Sequence, residues 1–278
     1  MDGARRRAGA GRSPVAQIQR ILIVSYSPDT ECCTTAEYLN GFANNGDVTI
    51  TLITGANKGL GFETARRLVE TGHSVYLGSR DPRRGRAAAE VVGARFIELD
   101  VTSDDSVNAA AADIHRRDGR LDVLINNAGI PGGGAKPAEV TADDFEHVFA
   151  TNVFGVVRVT HAMLPLLLAS DEPVIVNVAS GLGSIAVVTD KLRLESSFPS
   201  LAYSSSKSAV TMLTVQYAKA FPEIRINVVD PGYTATDLNG NRGHQTVTEG
   251  TDAIVRLATI GSDGPTGTFQ DRNGTVPW

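Results

Sequence analysis

The sequence is poor in cysteine, in aromatic residues and in long apolar runs, and each shortage excludes something. Cysteine occurs twice in 278 residues, as the adjacent pair Cys32 and Cys33. Sequence neighbours rarely bridge and no Cys/His spacing matches a zinc site, so neither a disulfide framework nor a metal site is expected. So few thiols fit a reducing compartment, and a cytoplasmic location is the expectation. Unbroken apolar stretches such as Met163 to Ala169 fall far short of the roughly 20 residues a bilayer requires. They give no reason to expect a membrane. A basic excess is lacking as well: the formal net charge of -5 argues against a general nucleic-acid binder.

What is present is an ordinary globular composition, 42% hydrophobic and 21% charged. The leader carries Arg5, Arg6, Arg7 and Arg12, then a short apolar run, Ile21 to Val24. That run is too short for a signal-peptide core, and an organelle transit peptide is the alternative reading of the arginines. Asn273-Gly274-Thr275 matches a glycosylation sequon, but no secretory signal supports it. Residues 1–47 lack steady periodicity and read as a poorly ordered extension, with a local helix around Thr35–Ala43 at most.

From Val48 the pattern becomes regular. Strands are expected at Val48–Ile53, Ser74–Leu77, Arg95–Leu99, Leu121–Asn126, Val174–Val178, Ile224–Val229 and Thr266–Phe269. Between them lie helices at Gly61–Glu70, Arg83–Val92, Ser103–Arg117, Ala142–Leu168, Ala202–Phe221 and Thr246–Ile260. Short apolar strands alternating with helices imply right-handed crossovers and a parallel sheet covered on both faces. The expected fold is a single doubly wound α/β domain over 48–278, with about seven strands.

The first strand-to-helix turn reads Thr54-Gly55-Ala56-Asn57-Lys58-Gly59-Leu60-Gly61. Phosphates need backbone N–H groups aimed at them and no Cβ in the way; glycines at such a turn supply both, and the helix dipole adds to them. Glycines also serve plain tight loops, but a turn that follows a strand and opens a helix is the context that confirms the motif. The second strand runs into Ser79-Arg80. An acid there would bond a ribose 2′-hydroxyl; Arg80 instead offers a planar fork for a 2′-phosphate, and Lys58 can approach the same group. The bland alternative is two solvated surface cations. Two cations flanking the adenosine ribose favour NADP(H). Asp100 and Val101, just past the third strand, are placed at the adenine edge.

Reactions in such sheets occur at the carboxyl ends of the strands. There the sequence puts Asn126-Asn127-Ala128-Gly129, Ser180 and, on helices, Asn152, Tyr203 and Lys207. A spacing of four sets Tyr203 and Lys207 on one helical face. A cation beside a phenol favours the phenolate, which makes Tyr203 a proton donor to a carbonyl or acceptor from an alcohol. Coincidence alone produces such a pair in about one chain in ten of this composition, so the pair has weight only with its neighbours. Ser180 can hydrogen-bond the substrate oxygen, and Asn152 matters only where the helix ladder is interrupted. Taken singly, Ser180 reads as a strand cap and Asn152 as a structural helix residue.

The segments TGANKGLGFETAR, NNAG, VNVASGLGS, AYSSSK and VVDPGYTATDL, in this order, resemble the short-chain dehydrogenase/reductase family, in its carbonyl-reductase-like branch. The resemblance spans about 48–278. It implies Tyr203 as acid/base, Lys207 also on the nicotinamide ribose, Ser180 orienting the carbonyl and Asn152 holding a relay water. It further implies that Asn127, Ala128 and Gly129 line the cofactor and that Pro231, Gly232 and Thr234 close over the nicotinamide. Family members often pair through the two long helices, here 142–168 and 202–221, so a homodimer or homotetramer is implied. Two departures stand out: Ala179 replaces a common first serine, and 22 residues separate Ser180 from Tyr203.

That long interval carries Ile185, Val187, Leu192, Phe198 and Leu201, and Tyr233 and Leu238 follow on the next loop. An apolar wall suits an aldehyde, ketone or quinone better than a sugar phosphate. Packing against the domain or a second subunit explains the same residues equally well. A reductase is the first reading. A non-catalytic NADP(H)-binding sensor or scaffold would be expected to have lost Tyr203 or Lys207, and a lyase or epimerase to carry a longer substrate domain.

Overall fold

A computed structural model describes residues 48–133 and 136–278. The expected extension 1–47, with its helix near Thr35–Ala43 and the Cys32–Cys33 pair, lies outside the described residues.

Eight strands form one sheet in the order β3-β2-β1-β4-β5-β6-β7-β8. They are β1 (Ile50–Ile53), β2 (Ser74–Ser79), β3 (Arg95–Glu98), β4 (Val123–Asn126), β5 (Val174–Val178), β6 (Arg225–Val229), β7 (Phe269–Asp271) and β8 (Gly274–Thr275). All neighbouring pairs are parallel except β7 and β8, which form a short antiparallel edge. The sequence suggests about seven strands; the eighth is two residues long, below what periodicity can detect. Strand order reverses between β1 and β4, which opens a crevice at their carboxyl ends.

Helices cover both faces: α1 (Gly59–Glu70), α2 (Pro82–Val92), α3 (Asp104–Asp118), α4 (Ala142–Phe149), α5 (Gly155–Leu167), α6 (Ile185–Thr189), α7 (Leu201–Ala220), α8 (Val247–Gly250) and α9 (Asp252–Ala258). Local chemistry explains their limits. Asp81 caps α2 by accepting from Arg84 N, with Pro82 in the first turn. Ser103 does the same for α3, whose first turn is acidic and whose last turn is basic. The core lies on both sides of the sheet. One face buries Leu52, Tyr76, Leu124 and Ile175 with Val107, Ile114, Val159 and Met163. The other buries Ile53, Leu77, Ile125 and Val176 with Ala65, Leu68, Ala89 and Ile254.

Three expected elements differ by a break or by more than two residues at an end. The stretch 142–168 is not one α-helix: Ala150–Phe154 is a π turn between α4 and α5. Expected helix 246–260 divides at Thr251, whose hydroxyl bonds back to the Thr248 carbonyl while Thr246 and Glu249 close a capping box. Strand Thr266–Phe269 begins three residues late, because Thr268 hydrogen-bonds the Asn227 side chain through both N and Oγ1. Among the described residues, only Ala142–Leu167 is long and apolar enough to cross a membrane. Charges at Asp143, Asp144 and Arg158 hide it from a count of unbroken runs, and half of it is buried as a core helix.

Candidate active site

The glycine turn is built from contacts that tolerate no side chain. Gly55 has φ +63°, and a Cβ there would lie 2.9 Å from Ala128 Cα. A Cβ on Gly61 would meet Asn127 Nδ2 at 2.5 Å and Ala56 Cα at 2.8 Å, so helix α1 can approach β4 only through glycine. Thr54 ties the two strand ends together, accepting at Oγ1 from Asn127 N at 3.0 Å and Ala128 N at 2.9 Å. The side chain of Asn127 donates to the carbonyls of Thr54 and Gly55. Its amide holds the turn rather than facing the crevice. Gly59 opens α1, and Lys58 precedes it in extended geometry. Asn57 and Leu60 complete this rim, with Leu60, in the first turn of α1, partly buried against the core.

At the far end of the crevice, Arg80 is exposed just past β2. Burial pushes the Asp100 carboxyl up, but hydrogen bonds from Thr102 and the nearby Arg80 and Arg158 outweigh it and hold the group below its usual value. One Asp100 oxygen accepts from Thr102 N and Oγ1, at 2.9 and 2.7 Å. Val101 is buried and gives its carbonyl to Arg158. Lys58 is not a free surface cation: its Nζ lies 3.1 Å from Asp237 Oδ2.

The reacting end is assembled by the approach of α7 to the turn that follows β5. A Cβ on Gly183 would lie 2.7 Å from the carbonyl carbon of Lys207, and Ser208 Oγ donates to the Gly183 carbonyl. This contact sets Tyr203 and Lys207 beside Ser180. Burial, with the Asp230 carboxylate, pushes the Tyr203 phenol up to about 12, against the lowering influence of the nearby Ser180 hydroxyl. Lys207 Nζ donates to Val178 O at 2.9 Å and sits 5.6 Å from the centroid of the Tyr203 ring. Burial pushes its own pKa down to about 8. The expectation that the ammonium lowers the phenol's pKa is therefore not met here: burial and Asp230 dominate.

Asn152 sits in the π turn, where the helix ladder is interrupted, as its involvement required. Its side chain is fully engaged, accepting from Ile130 N and donating to Ile130 O and Ser206 Oγ. A Cβ on Gly129 would lie 3.5 Å from Asn152 Oδ1 and 3.6 Å from Lys207 Nζ, so that glycine adjoins both groups. Asn152, Ser180, Tyr203, Lys207 and Gly129 thus converge. Pro231, Gly232 and Thr234 follow β6; Gly232 takes φ +70°, and Thr234 is buried with its hydroxyl on the Pro231 carbonyl.

Sequence reasoning missed Asp230. It is the residue after β6, at a strand's carboxyl end, and that position was the available signal. Burial pushes its carboxyl up, against hydrogen bonds from Gly232 and Gly181. Glu195, from the long interval after Ser180, approaches the same Gly181. Ser206 and Asp237 were missed too, since a hydrogen-bond or ion-pair partner distant in sequence leaves no periodic mark.

The family profile described as short chain dehydrogenase matches residues 49–246. Short-chain dehydrogenase/reductase 1 of Saponaria officinalis is 34% identical, covering 82% of this chain and 95% of its own. Salutaridine reductase of Papaver bracteatum is 32% identical over 79% of this chain and 93% of its own. Among solved structures, NADPH-bound carbonyl reductase from chicken fatty liver superposes with a TM-score of 0.74 at 28% identity. That match covers 83% of this chain and 99% of the other.

Proposed function

The chain belongs to the short-chain dehydrogenase/reductase family, and on that premise we propose that it is an NADP(H)-dependent oxidoreductase interconverting a carbonyl and an alcohol. The observation that supports this reading is that Lys207 and Ser180 both lie near Tyr203, Lys207 Nζ 5.6 Å from its ring centroid. The cofactor fits on two counts. The turn is closed through glycine, with Gly55 and Gly59 at positive φ and no room for a Cβ at Gly55 or Gly61, and the ribose end offers Arg80 and Lys58, with no acid at position 80. Likeness to a carbonyl reductase that binds NADPH supports the same choice.

When bound, the nicotinamide supplies or accepts the hydride. Residues of the chain handle the proton and the substrate. Ser180 Oγ hydrogen-bonds the substrate oxygen and holds it against the phenol. Tyr203 gives its proton to that oxygen in reduction and recovers it in oxidation. Lys207, anchored on the Val178 carbonyl, places a positive charge beside the phenol and the nicotinamide ribose. The π turn at Asn152 frees the ladder locally for a water that returns the proton. Thr54, Asn127 and Ala128 fix the turn that would hold the phosphates, and Pro231, Gly232 and Thr234 would border the nicotinamide.

The substrate is read as an aldehyde, ketone or quinone, from the apolar Leu194, Phe198, Leu201 and Leu238 exposed on the two loops beside the site. Phe154 and Met212, exposed where α5 begins and on α7, support pairing of copies through those helices as a homodimer or homotetramer. A cytoplasmic location follows the scarcity of cysteine. The test is NADPH oxidation with a panel of carbonyls, comparing wild type with Tyr203→Phe. Turnover with at least one carbonyl and its loss in the variant are expected. Tight NADPH binding without turnover on any of them would favour a sensor or scaffold.

A further inference from the structure

The segment after β6 folds back on itself as a compact strap. Thr234 bridges Gln245, Ala235 N donates to Gln245 O at 2.9 Å, and Gln245 N donates to Tyr233 O at 3.2 Å. Gly243 permits the closure, since a Cβ there would lie 2.2 Å from the Thr234 carbonyl carbon. Thr236 and Asn239 close a capping box at the tip, and Asn239 Nδ2 donates to Thr234 O. Asp237 is thereby held at a fixed place, next to a residue packed on the glycine turn: Thr236 Cγ2 is 3.8 Å from the Cβ position of Gly59. From that place its carboxylate takes Lys58, the cation assigned above to the cofactor's 2′-phosphate.

We propose that Asp237 is a cofactor-specificity residue that competes with the 2′-phosphate of NADP(H) for Lys58. The inference rests on the NADP(H) reading. The ion pair is the kind that a phosphate displaces: its side chains are 59% and 64% exposed, and such pairs are weak. A phosphate monoester carries about −1.5 to −2 charges at neutral pH and three acceptor oxygens, against one charge on a carboxylate. Lys58 has a flexible four-carbon stem and can turn from one anion to the other. Arg80 would add a second cation to the phosphate, whereas Asp237 has only Lys58 as an ion-pair partner among the described residues. NAD(H) carries the same pyrophosphate but lacks the 2′-phosphate, so it brings no second anion to compete for Lys58 and leaves the pair intact. Asp237 therefore subtracts from NADP(H) affinity alone.

The experiment is a binding titration of NADP+ and NAD+ against wild type, Asp237→Asn, Asp237→Ser, Lys58→Met and the Lys58→Met/Asp237→Asn double variant. Either Asp237 variant is expected to bind NADP+ about two- to fivefold more tightly, as loss of an exposed competing pair allows. NAD+ affinity stays unchanged, which also reports an intact fold. In the Lys58→Met background the gain disappears. Equal shifts for both cofactors, or the same gain without Lys58, would overturn the competition. Weaker binding of both cofactors in both Asp237 variants overturns it too, leaving Asp237 as a support for the strap. Wild type that binds NAD+ as tightly as NADP+ would instead remove the 2′-phosphate reading itself, and this inference with it.

Discussion

Lys207 Nζ donates to the Val178 carbonyl at 2.9 Å while standing 5.6 Å from the centre of the Tyr203 ring. The lysine is thus anchored on the end of β5, and its buried ammonium donates to that carbonyl. Burial holds its pKa near 8 against an ordinary 10.5, and the consequence for stability has a definite sign. Between those values the unfolded chain binds a proton that the folded chain does not, so stability rises with pH. The contribution is complete above 10.5 and is lost as pH falls through 8. Substitution by methionine removes the titration. Urea unfolding at pH 7.5 and pH 10 is expected to show wild type gaining on Lys207→Met by about 2 kcal/mol. A pH-independent difference would mean that the lysine titrates at its ordinary value.

The Asp230 carboxylate adds to the raised pKa of the Tyr203 phenol. Burial is the larger cause of its rise to about 12. Replacing Asp230 by asparagine removes a negative charge and is expected to lower the phenol's midpoint. Absorbance titration at alkaline pH, with Tyr203→Phe subtracted, reads that midpoint directly. An unmoved midpoint would show that burial alone sets it.

Arg80 is the second cation of the cofactor reading. Arg80→Asp places an acid where a ribose 2′-hydroxyl would be bonded and a 2′-phosphate repelled. The NADPH-to-NADH ratio of affinities is expected to fall by at least about tenfold, the scale of one charge-assisted contact. An unchanged ratio defeats the assignment.

Asn152 joins the π turn to Ile130 and to Ser206 on α7 through three hydrogen bonds. Asn152→Ala leaves the half-buried Ile130 amide and carbonyl without these partners. A loss of about 1–3 kcal/mol is expected from thermal or urea unfolding. A neutral substitution would show that water replaces the amide freely.

Much of this was legible in the sequence. Strands β1, β4, β5 and β6 are apolar runs buried on both faces, and the glycine turn, Ser180, Tyr203 and Lys207 occupy the strand ends and helix face expected for them. The π turn was not legible, because one extra residue per turn shifts the apolar face only slightly over five residues. Nor could spacing show that Lys207 bonds Val178, 29 residues earlier, or that Lys58 meets Asp237, 179 residues later. The side-chain amide of Asn127 donates to the carbonyls of Thr54 and Gly55. That use depends on β1 and β4 being neighbours, which is a property of strand order. Signals for α6 and α8 were present in part, since Ser184 and Thr246 cap them through the residue three positions on.

The most direct test follows the two hydrogens separately. With a carbonyl that wild type reduces, NADPH deuterated at the nicotinamide C4 is expected to leave its deuterium on the new carbinol carbon. Tyr203→Phe should bind the same cofactor within a few-fold of wild type and transfer that deuterium about 100 to 10,000 times more slowly. Deuterium absent from the carbinol carbon, or transfer at an undiminished rate in the variant, contradicts the account.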